Sequence, residues 1–337
     1  MLSDQRIWFG DDPLARIVRK VSIPASWLYE LGWEVYRSLY KFGFKTAVSA
    51  HPRVLCIGNL TVGGSGKSPL TVFLAQELAK NGWQVVISCS GYGSPASEAA
   101  LLAPSGPLKA REWGDEPSMI RWFLPDVPLV IGRRRVLAAD IAYRAYPNSI
   151  LLLDDGFQHL PLKKTVSILL DEAHPQNGHC LPAGPYREPR RNRSRADLVL
   201  PSEEFQITEQ PLRFMFPLLS SDLAVDVENA REEFATSSVT VFCGIGRPEV
   251  FRGDLVKSGV KIGCIKQFSD HFAYNDLDFL ESVPMGEWIV TTAKDWVKIQ
   301  NLIGLEKWKW AVALKEVSIA CANGSDEFIK WIIGRIL

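Results

Sequence analysis

The sequence predicts an α/β protein with a doubly wound parallel sheet, a second, smaller α/β unit and an N-terminal amphipathic helix. Three observations lead to this fold class. Short Val/Ile/Leu-rich runs alternate with helix-length segments from residue 53 to about residue 201, a glycine-rich loop follows the first run, and the fourth run ends in two aspartates. Strands of a parallel sheet have such apolar runs because helices cover both faces of the sheet.

The positions of the apolar runs give the strands and the domain boundaries. The strand candidates are 54–58, 84–89, 128–131, 150–154, 166–170 and 197–200. A second α/β unit begins at 239–244 and includes the run 288–292, after an acidic and irregular stretch. We therefore predict an N-terminal helical segment at 1–50, a main domain at 51–205, a linker at 206–236 and a smaller domain at 237–337.

The bulk composition is that of an ordinary globular protein. Of the 337 residues, 47% are hydrophobic and 23% are charged, and the formal net charge is zero. Zero net charge provides no bulk attraction to nucleic acid. The six cysteines have no C-x-x-C spacing, and no apolar stretch is long enough to cross a bilayer. We expect a cytosolic protein with reduced thiols, no nucleic-acid partner and no obligate protein partner.

An amphipathic helix is predicted near the N-terminus, between residues 26 and 45. Its apolar residues Leu28, Leu31, Val35, Leu39 and Phe42 recur every three or four positions, among aromatic rings and positive charges. Aromatic and basic residues on such a helix suit a membrane interface. A helix packed on the protein's own core has the same periodicity, and the pattern alone favours neither interpretation.

A glycine-rich phosphate-binding loop, or P-loop, follows the first strand and precedes a helix. It consists of Thr61, Val62, Gly63, Gly64, Ser65, Gly66, Lys67 and Ser68. Glycines let backbone N–H groups surround phosphate oxygens, Lys67 adds a charge near the β- and γ-phosphates, and the Ser68 hydroxyl can bind Mg²⁺. The usual pattern has glycine at position 61. The strand-to-helix context still predicts nucleotide binding and a sheet of the P-loop NTPase type, against a glycine-rich corner without a ligand.

The fourth apolar run ends in Asp154 and Asp155. Ligands of open α/β sheets bind at the carboxyl edge of the strands, so one of these carboxylates would hold Mg²⁺ opposite Ser68, directly or through water. Asp155 could instead cap a helix, because it precedes a glycine turn. The spacing does not distinguish which aspartate contacts the metal.

Three other clusters contain residues that could take part in chemistry. They are Gly114-Asp115-Glu116-Pro117, the segment from Leu181 to Glu188 with the arginines after it, and Ser269-Asp270-His271 with the residues from Thr291 to Asp295. Each has a simple structural explanation: Asp115 could cap a helix, His271 could be a surface imidazole, and the arginines could be a solvated face. The presence of a P-loop in the same chain favours a functional role for these clusters.

Together these motifs resemble one family along nearly the whole chain, the tetraacyldisaccharide 4′-kinases of Gram-negative bacteria. The matching motifs are Gly58-Asn59-Leu60-Thr61-Val62-Gly63-Gly64-Ser65-Gly66-Lys67-Ser68-Pro69, Gly114-Asp115-Glu116-Pro117, Asp154-Asp155-Gly156-Phe157-Gln158-His159, Leu181-Pro182-Ala183-Gly184-Pro185 with Arg187-Glu188, Gly244-Ile245-Gly246 and Asp270-His271. Threonine at the first P-loop position is peculiar to this family, so the irregular loop supports the resemblance.

The resemblance implies transfer of the γ-phosphate of ATP, with Mg²⁺, to the 4′-hydroxyl of an acylated glucosamine disaccharide 1-phosphate, giving lipid IVA. It implies that Asp115 and His271 act as a catalytic pair beside Lys67, between two domains. It also implies peripheral attachment to the cytoplasmic face of the inner membrane, which favours the membrane interpretation of the N-terminal helix. Candidate substrate contacts are Tyr92, Glu116, His159, Arg187 and Glu188.

The chain departs from the family pattern near these motifs, and the segment before Leu181-Pro182 is also divergent. Where the family has Ser-Arg-Gly-Tyr-Gly-Gly, this chain has Cys89-Ser90-Gly91-Tyr92-Gly93-Ser94, so an arginine charge is missing and a neighbouring lysine or arginine could replace it. The family's Thr-Glu-Lys-Asp is Thr292-Ala293-Lys294-Asp295 here. No residue of the P-loop, the metal site or the catalytic pair is lost, so the sequence predicts an active enzyme.

Two other functions are compatible with a P-loop of this kind. A soluble small-molecule kinase would need no lipid or detergent. A P-loop switch or assembly ATPase would hydrolyse nucleotide or bind a partner without phosphorylating a lipid. The chain lacks the Asn-Lys-x-Asp motif with which GTPases recognise guanine, which argues against a GTP-dependent switch.

Overall fold

The computed structural model describes residues 4–63, 66–218, 224–321 and 326–337, so Gly64 and Ser65 of the P-loop lie outside the described residues. The helices are α1 Asp4–Phe9, α2 Pro13–Lys41, α3 Lys67–Lys80, α4 Ala110–Trp113, α5 Asp115–Phe123, α6 Arg135–Ala145, α7 Ala224–Thr236, α8 Pro248–Lys257, α9 Ala293–Ile299 and α10 Glu327–Ile336. The strands are β1 Val54–Asn59, β2 Val85–Cys89, β3 Leu101–Leu102, β4 Leu129–Ile131, β5 Ile150–Asp154, β6 Val166–Leu170, β7 Leu198–Leu200, β8 Phe205–Glu209, β9 Arg213–Met215, β10 Ser238–Cys243, β11 Lys261–Gln267, β12 Trp288–Thr292, β13 Lys309–Leu314 and β14 Val317–Cys321.

The first sheet has seven strands in the order β3-β4-β2-β5-β1-β6-β7. All its pairs are parallel except β3 with β4 at one edge. The six strands predicted from the apolar runs are confirmed, and five of them are buried along their whole length. β1 and β5 are neighbours through the register pair Ile57↔Asp154, which brings the end of the P-loop strand next to the two aspartates.

The second sheet has five strands in the order β11-β10-β12-β13-β9. Four are parallel, and β9 pairs antiparallel with β13 at the edge. The predicted apolar runs of the smaller unit are β10 and β12. The stretch predicted as a linker at 206–236 contains β9 and α7, so it contributes regular structure to this half.

The chain returns to the first half after the second sheet. β14 pairs antiparallel with β8 in a two-stranded ribbon. Helix α10 then packs Phe328, Ile329, Ile332 and Ile336 into the same apolar core as β1 and α3. The sequence prediction of a smaller domain at 237–337 did not anticipate this return.

The predicted amphipathic helix is α2, and it begins earlier than expected, at Pro13. The Asp12 side chain caps it by accepting a hydrogen bond from the Ala15 backbone N–H at 3.1 Å. The inner face is fixed by Ser26, whose hydroxyl donates to the Cys180 carbonyl at 2.8 Å. In the part of the chain that the structure describes, no helix has the length and apolar character needed to cross a membrane.

Helix α5 lies between the two halves. Gly114, which precedes it, packs against Gly91 at the end of β2, on the carboxyl edge of the first sheet. Further along α5, Met119, Trp122 and Phe123 pack against the apolar core of the second sheet. α9, which follows β12 directly, contacts α5. The carboxyl edges of both sheets therefore meet near the start of α5, where ligands bind in open α/β sheets.

Candidate active site

The P-loop connects β1 to α3 at the carboxyl edge of the first sheet. Gly66 precedes the helix with φ of 81°, a left-handed conformation in which a side chain would be strained. The backbone N–H of Val62 donates to the Pro185 carbonyl at 2.8 Å, and Thr61 forms a bridge with Tyr186. The loop is thus supported from one side while the N-terminus of α3 directs its N–H groups toward the phosphate site.

Lys67 lies in the first turn of α3 and reaches back to the end of β1. Its Nζ donates to Oδ1 of Asn59 at 2.8 Å and lies 3.8 Å from Oδ1 of Asp155. Asn59 in turn donates to the carbonyl of Thr61 at 2.9 Å. The ammonium group is therefore held between Asn59 and Asp155 at the carboxyl edge of the first sheet. In a P-loop, this lysine neutralises phosphate charge.

Asp155 is held by two cations. Arg187 binds both of its carboxylate oxygens, at 3.0 and 2.8 Å, in the bidentate geometry that makes this pair strong. Burial alone would raise the pKa of Asp155, but the positive charges of Lys67 and Arg187 outweigh it and lower the pKa to about 2. Asp155 is consequently ionised at neutral pH.

Asp154 lies deeper, at the end of β5, with 3% of its surface exposed. The Thr71 hydroxyl donates to its Oδ1 at 3.1 Å. Burial, together with the negative charges of Glu116 and Asp155, raises the pKa of Asp154 to about 7. The two neighbouring aspartates thus have very different electrostatic surroundings, which their positions in sequence do not indicate.

The residues around these aspartates fit a magnesium ion. Ser68 lies three residues before Thr71, on the same face of α3. Its hydroxyl and the two carboxylates are hard oxygen donors, and a cation would offset the repulsion that raises the pKa of Asp154. No group of three or more His, Cys, Asp or Glu forms a metal site among the described residues.

Asp115 and His271 meet where the two halves face each other. Nδ1 of His271 lies 3.0 Å from Oδ2 of Asp115. Lys294 donates from Nζ to Nε2 of the same ring at 3.3 Å. A ring nitrogen that accepts carries no proton, so the proton of a neutral imidazole is on Nδ1 and points to Asp115.

A buried lysine, Lys298, lies next to Asp115. Nζ of Lys298 lies 3.6 Å from Oδ2 of Asp115, and the Lys298 side chain is 6% exposed. Burial alone would raise the pKa of Asp115, but the hydrogen bond from His271 and the positive charges of Lys298 and Lys294 together lower it. Asp115 is therefore a carboxylate at neutral pH and able to accept a proton.

Asp295 fixes this lysine in place. Its carboxylate is fully buried and lies 3.0 Å from Nζ of Lys298. It also accepts hydrogen bonds from the Thr292 hydroxyl at 2.8 Å, the Gly244 backbone N–H at 3.0 Å and the Tyr274 hydroxyl at 3.2 Å. Gly244 of the Gly-Ile-Gly motif and Asp295 of the Lys-Asp motif are thus bonded to each other, and together they hold the lysine that lies next to Asp115.

Two of the predicted substrate contacts face this region. The ring of Tyr92 is 68% exposed, and its centroid lies 6.0 Å from that of His271. Glu116 follows Asp115 in the first turn of α5, and its charge contributes to the raised pKa of Asp154. Tyr92 is therefore close to His271, and Glu116 is close enough to Asp154 to affect its charge.

The other predicted contacts are less accessible. Glu188 is fully buried and binds Arg195 at 2.5 Å, Gln158 at 3.1 Å and Asn192 at 3.1 Å. These bonds favour a structural role for Glu188 over the predicted substrate contact. Burial and neighbouring positive charges lower the pKa of His159 to about 4, and its Nε2 is buried with no hydrogen-bond partner among the described residues.

Residues 18–336 match the sequence model of one protein family, described as LpxK: Tetraacyldisaccharide-1-P 4′-kinase. The match spans both halves of the structure and all the motifs above. The chain belongs to this family.

Relatives of similar length agree with this assignment. The tetraacyldisaccharide 4′-kinase of Shewanella amazonensis is 30% identical over 322 residues, which cover 91% of this chain and 90% of that one. The enzyme of the same name from Shewanella loihica is 33% identical over 301 residues, covering 87% and 86% of the two chains. These relatives come from Gram-negative bacteria.

A solved structure has the same fold. It is the crystal structure of LpxK from Aquifex aeolicus in complex with ATP, which superposes with a TM-score of 0.77 at 29% sequence identity. The similarity covers 95% of this chain and 99% of that one. The α/β fold with a P-loop, predicted from the sequence, is therefore confirmed.

Two features of the candidate site were not anticipated from the sequence. Lys298 was not anticipated, although its position three residues after Asp295 on one helix was an available signal for an ion pair. The hydrogen bonds of Asn59 to Lys67 and Thr61 were likewise not anticipated, because sequence spacing does not reveal that the end of β1 folds against the loop.

Proposed function

We propose that this protein transfers the γ-phosphate of ATP to the 4′-hydroxyl of tetraacyldisaccharide 1-phosphate. Family membership supports the reaction and its lipid acceptor. ATP in the related Aquifex aeolicus structure supports the phosphate donor. The observation that carries the proposal is the 3.0 Å contact between Asp115 and His271, at the same edge of the sheet as the P-loop.

Asp115 is the base in the proposed mechanism. It accepts the proton of the 4′-hydroxyl while that oxygen bonds to the γ-phosphorus and the bond from phosphorus to ADP breaks. His271 orients the Asp115 carboxylate through Nδ1–H, and Lys298 keeps it ionised. Lys67 and the N–H groups of the P-loop stabilise the charge on the transferring phosphate.

Ser68, Asp154 and Asp155 would hold the magnesium ion. When bound, Mg²⁺ neutralises phosphate charge and orients the β- and γ-phosphates. Thr71 fixes the orientation of Asp154, and Arg187 that of Asp155. The requirement for an oxygen-bound divalent cation follows from the chemistry of the reaction and from the carboxylates next to the P-loop.

Helix α2 is the proposed contact with the cytoplasmic face of the inner membrane. One face of it is a stripe of exposed apolar side chains, which we call the α2 stripe: Leu14, Ile17, Val21, Leu28, Leu31 and Val35, each between 52% and 74% exposed. Exposed apolar faces of this size on a helix with basic residues are typical of interfacial helices. A helix packed on the core would instead bury these positions.

The same helix is bonded to the phosphate site through its inner face. The Tyr29 hydroxyl donates to the backbone carbonyl of Arg187 at 2.7 Å. The Arg187 side chain forms the bidentate ion pair with Asp155. Arg191 pairs with Glu34 at 3.1 Å, which ties the following turn to the helix as well. Docking of the α2 stripe on a bilayer would therefore hold Asp115 and His271 at a fixed position relative to the membrane that contains the acceptor's acyl chains.

The direct test is a transfer assay with γ-labelled ATP, Mg²⁺ and tetraacyldisaccharide 1-phosphate in mixed detergent micelles. We expect label in the lipid and a mass increase of one phosphate. Lys67→Ala should abolish most of the transfer, and Lys80→Ala, which removes an exposed charge from the other end of the same helix, should not. Nucleotide hydrolysis without labelled lipid would indicate a switch ATPase, and phosphorylation of an unacylated sugar alone would indicate a soluble small-molecule kinase.

A further inference from the structure

Arg133 lies at the carboxyl edge of the first sheet, beside the position where the family arginine is missing. β2 and β4 are parallel, with Cys89 opposite Ile131. The backbone N–H of Gly132 donates to the Cys89 carbonyl at 3.0 Å, so the pairing continues past the strand ends. Arg133 therefore emerges from β4 next to the turn that begins with Ser90 on β2.

The Arg133 side chain is directed over Tyr92. Its guanidinium carbon lies 5.4 Å from the centroid of the Tyr92 ring, a cation–π arrangement. The other neighbour of that ring is His271, at 6.0 Å between centroids. Arg133 is exposed, and no carboxylate lies within ion-pair distance of it among the described residues. The ring of Tyr92 thus contacts both the Arg133 guanidinium group and the His271 ring.

The adjacent arginines differ from Arg133 in their surroundings. Arg135 is 3% exposed and donates to the Asp154 backbone carbonyl at 2.6 Å, so it supports the end of β5. Arg134 borders a separate cavity together with Val48 and Tyr143. Of the three consecutive arginines, Arg133 alone contacts Tyr92 in the part of the chain that the structure describes.

We propose that Arg133, stacked on Tyr92, binds the 1-phosphate of the acceptor, and this inference rests on the proposed function. A guanidinium group offers paired N–H donors that match phosphate oxygens, and stacking on an aromatic ring restricts its motion before binding. β4 is the third strand from the P-loop strand, about 14 Å away at ordinary strand spacing. The end of β4, from which Arg133 extends, is therefore separated by two strands from the strand that leads into the P-loop.

This assignment also explains how the chain tolerates serine at position 90. In the parallel register, the ends of β2 and β4 are adjacent, so a positive charge on either one reaches the same region above Tyr92. Arg133 supplies from β4 the charge that the family pattern supplies from β2.

The experiment compares Arg133→Ala with Arg134→Ala as the matched control, using the full chain in mixed micelles. We expect Arg133→Ala to raise KM for the 1-phosphorylated acceptor about tenfold, with KM for ATP unchanged, and Arg134→Ala to leave both unchanged. With an acceptor that lacks the 1-phosphate, wild type and Arg133→Ala should have the same KM, because the missing partner removes the effect. Adding Ser90→Arg to Arg133→Ala should restore a large part of the acceptor KM.

Three outcomes would overturn the inference. They are an unchanged acceptor KM in Arg133→Ala, an increase in KM for ATP instead, and an equal penalty with the acceptor that lacks the 1-phosphate. Calorimetric titration with the deacylated disaccharide 1-phosphate separates this inference from the proposed function, because binding needs no phosphate transfer. Binding that depends on Arg133 without any turnover would contradict the kinase function, and turnover with binding independent of Arg133 would contradict only the role of Arg133.

Discussion

Asp155 and His271 have left-handed backbone conformations, with φ of 50° and 59°. Residues other than glycine seldom adopt this conformation, and it persists only where surrounding contacts enforce it. Arg187 provides those contacts for Asp155, and the bond from the His271 N–H to Oδ1 of Asp270, at 3.0 Å, does so for His271. Both positions combine a constrained backbone with a side chain that the proposed chemistry needs.

The charge of Lys298 leads to a prediction about pH dependence. Lys298 helps to hold the pKa of Asp115 below its ordinary value, so the carboxylate stays ionised well into acid. Lys298→Met removes that charge while burial continues to favour the protonated form, so the pKa of Asp115 rises. We expect the acid limb of the kcat/KM profile to move to higher pH, with the remaining activity recovered at alkaline pH.

Lys315→Met is the control, because Lys315 is another partly buried lysine of the second half but pairs with Glu209 and Asp254 instead. It should leave the acid limb in place. Thermal unfolding of both variants identifies any general loss of stability. A Lys298→Met enzyme that is folded and has an unshifted acid limb would mean that Lys298 does not set the ionisation of Asp115.

Candidate site residues that belong to local motifs could be selected from the sequence alone. Lys67, Asp154 and Asp155 stand at a strand end and a helix start, and the local order of apolar, glycine and charged residues was sufficient to select them as candidates. The contact of Asp115 with His271 depends on two distant segments, and only resemblance to a family suggested it. The spacing of Lys298 from Asp295 indicates only a local ion pair, and its burial next to Asp115 accompanies the packing of α9 against α5, which the local sequence does not show.

At the level of secondary-structure elements, the apolar runs of the first sheet were predictable as strands, including the edge strand β7, whereas two strands of mixed composition were not. The six strands predicted for this sheet are continuous apolar runs, as expected for a parallel sheet. β8 has a single buried residue and β11 has none, and both contain several charged or polar residues, so they give little apolar signal. Pairing with distant partners, rather than composition, makes them strands.

The two faces of helix α2 have separate roles in the proposed function, and substitutions can test them separately. Leu28→Ser combined with Leu31→Ser removes two apolar side chains from the α2 stripe without touching the inner face. Burial of a leucine side chain contributes about 2 kcal/mol, so we expect binding to anionic lipid vesicles to weaken tenfold or more. Vesicle sedimentation with increasing lipid measures the change.

Tyr29→Phe is the control on the inner face of α2. It removes the hydrogen bond to Arg187 and should leave vesicle binding unchanged while lowering kcat for the lipid acceptor. If the double serine variant is folded and binds vesicles as the wild type does, the α2 stripe is not the membrane contact.

The whole molecule consists of two sheets whose carboxyl edges face each other across α5. The chain passes from the first half to the second through β8 and returns through β14 and α10, so the halves are joined by a ribbon as well as by helix packing. Neither half contains the complete proposed site: the P-loop, the carboxylates proposed to hold the metal and Asp115 belong to the first, and His271, Lys294 and Lys298 to the second. Closure of the two halves around the substrates would exclude water from the transferring phosphate.

The measurement that tests this arrangement most directly is a double-mutant cycle between the halves, with Asp115→Ala, His271→Ala and the double variant. The readout is kcat/KM for phosphate transfer to the lipid acceptor, with ATP affinity measured separately. Each single substitution should lower kcat/KM about 10² to 10⁴-fold with little change in ATP binding, as expected for loss of a general base or of the group that orients it. The double variant should be little worse than the more severe single variant, because residues that act as a unit are lost together. Penalties that multiply in full would mean that Asp115 and His271 act independently and that the two halves do not form one catalytic pair.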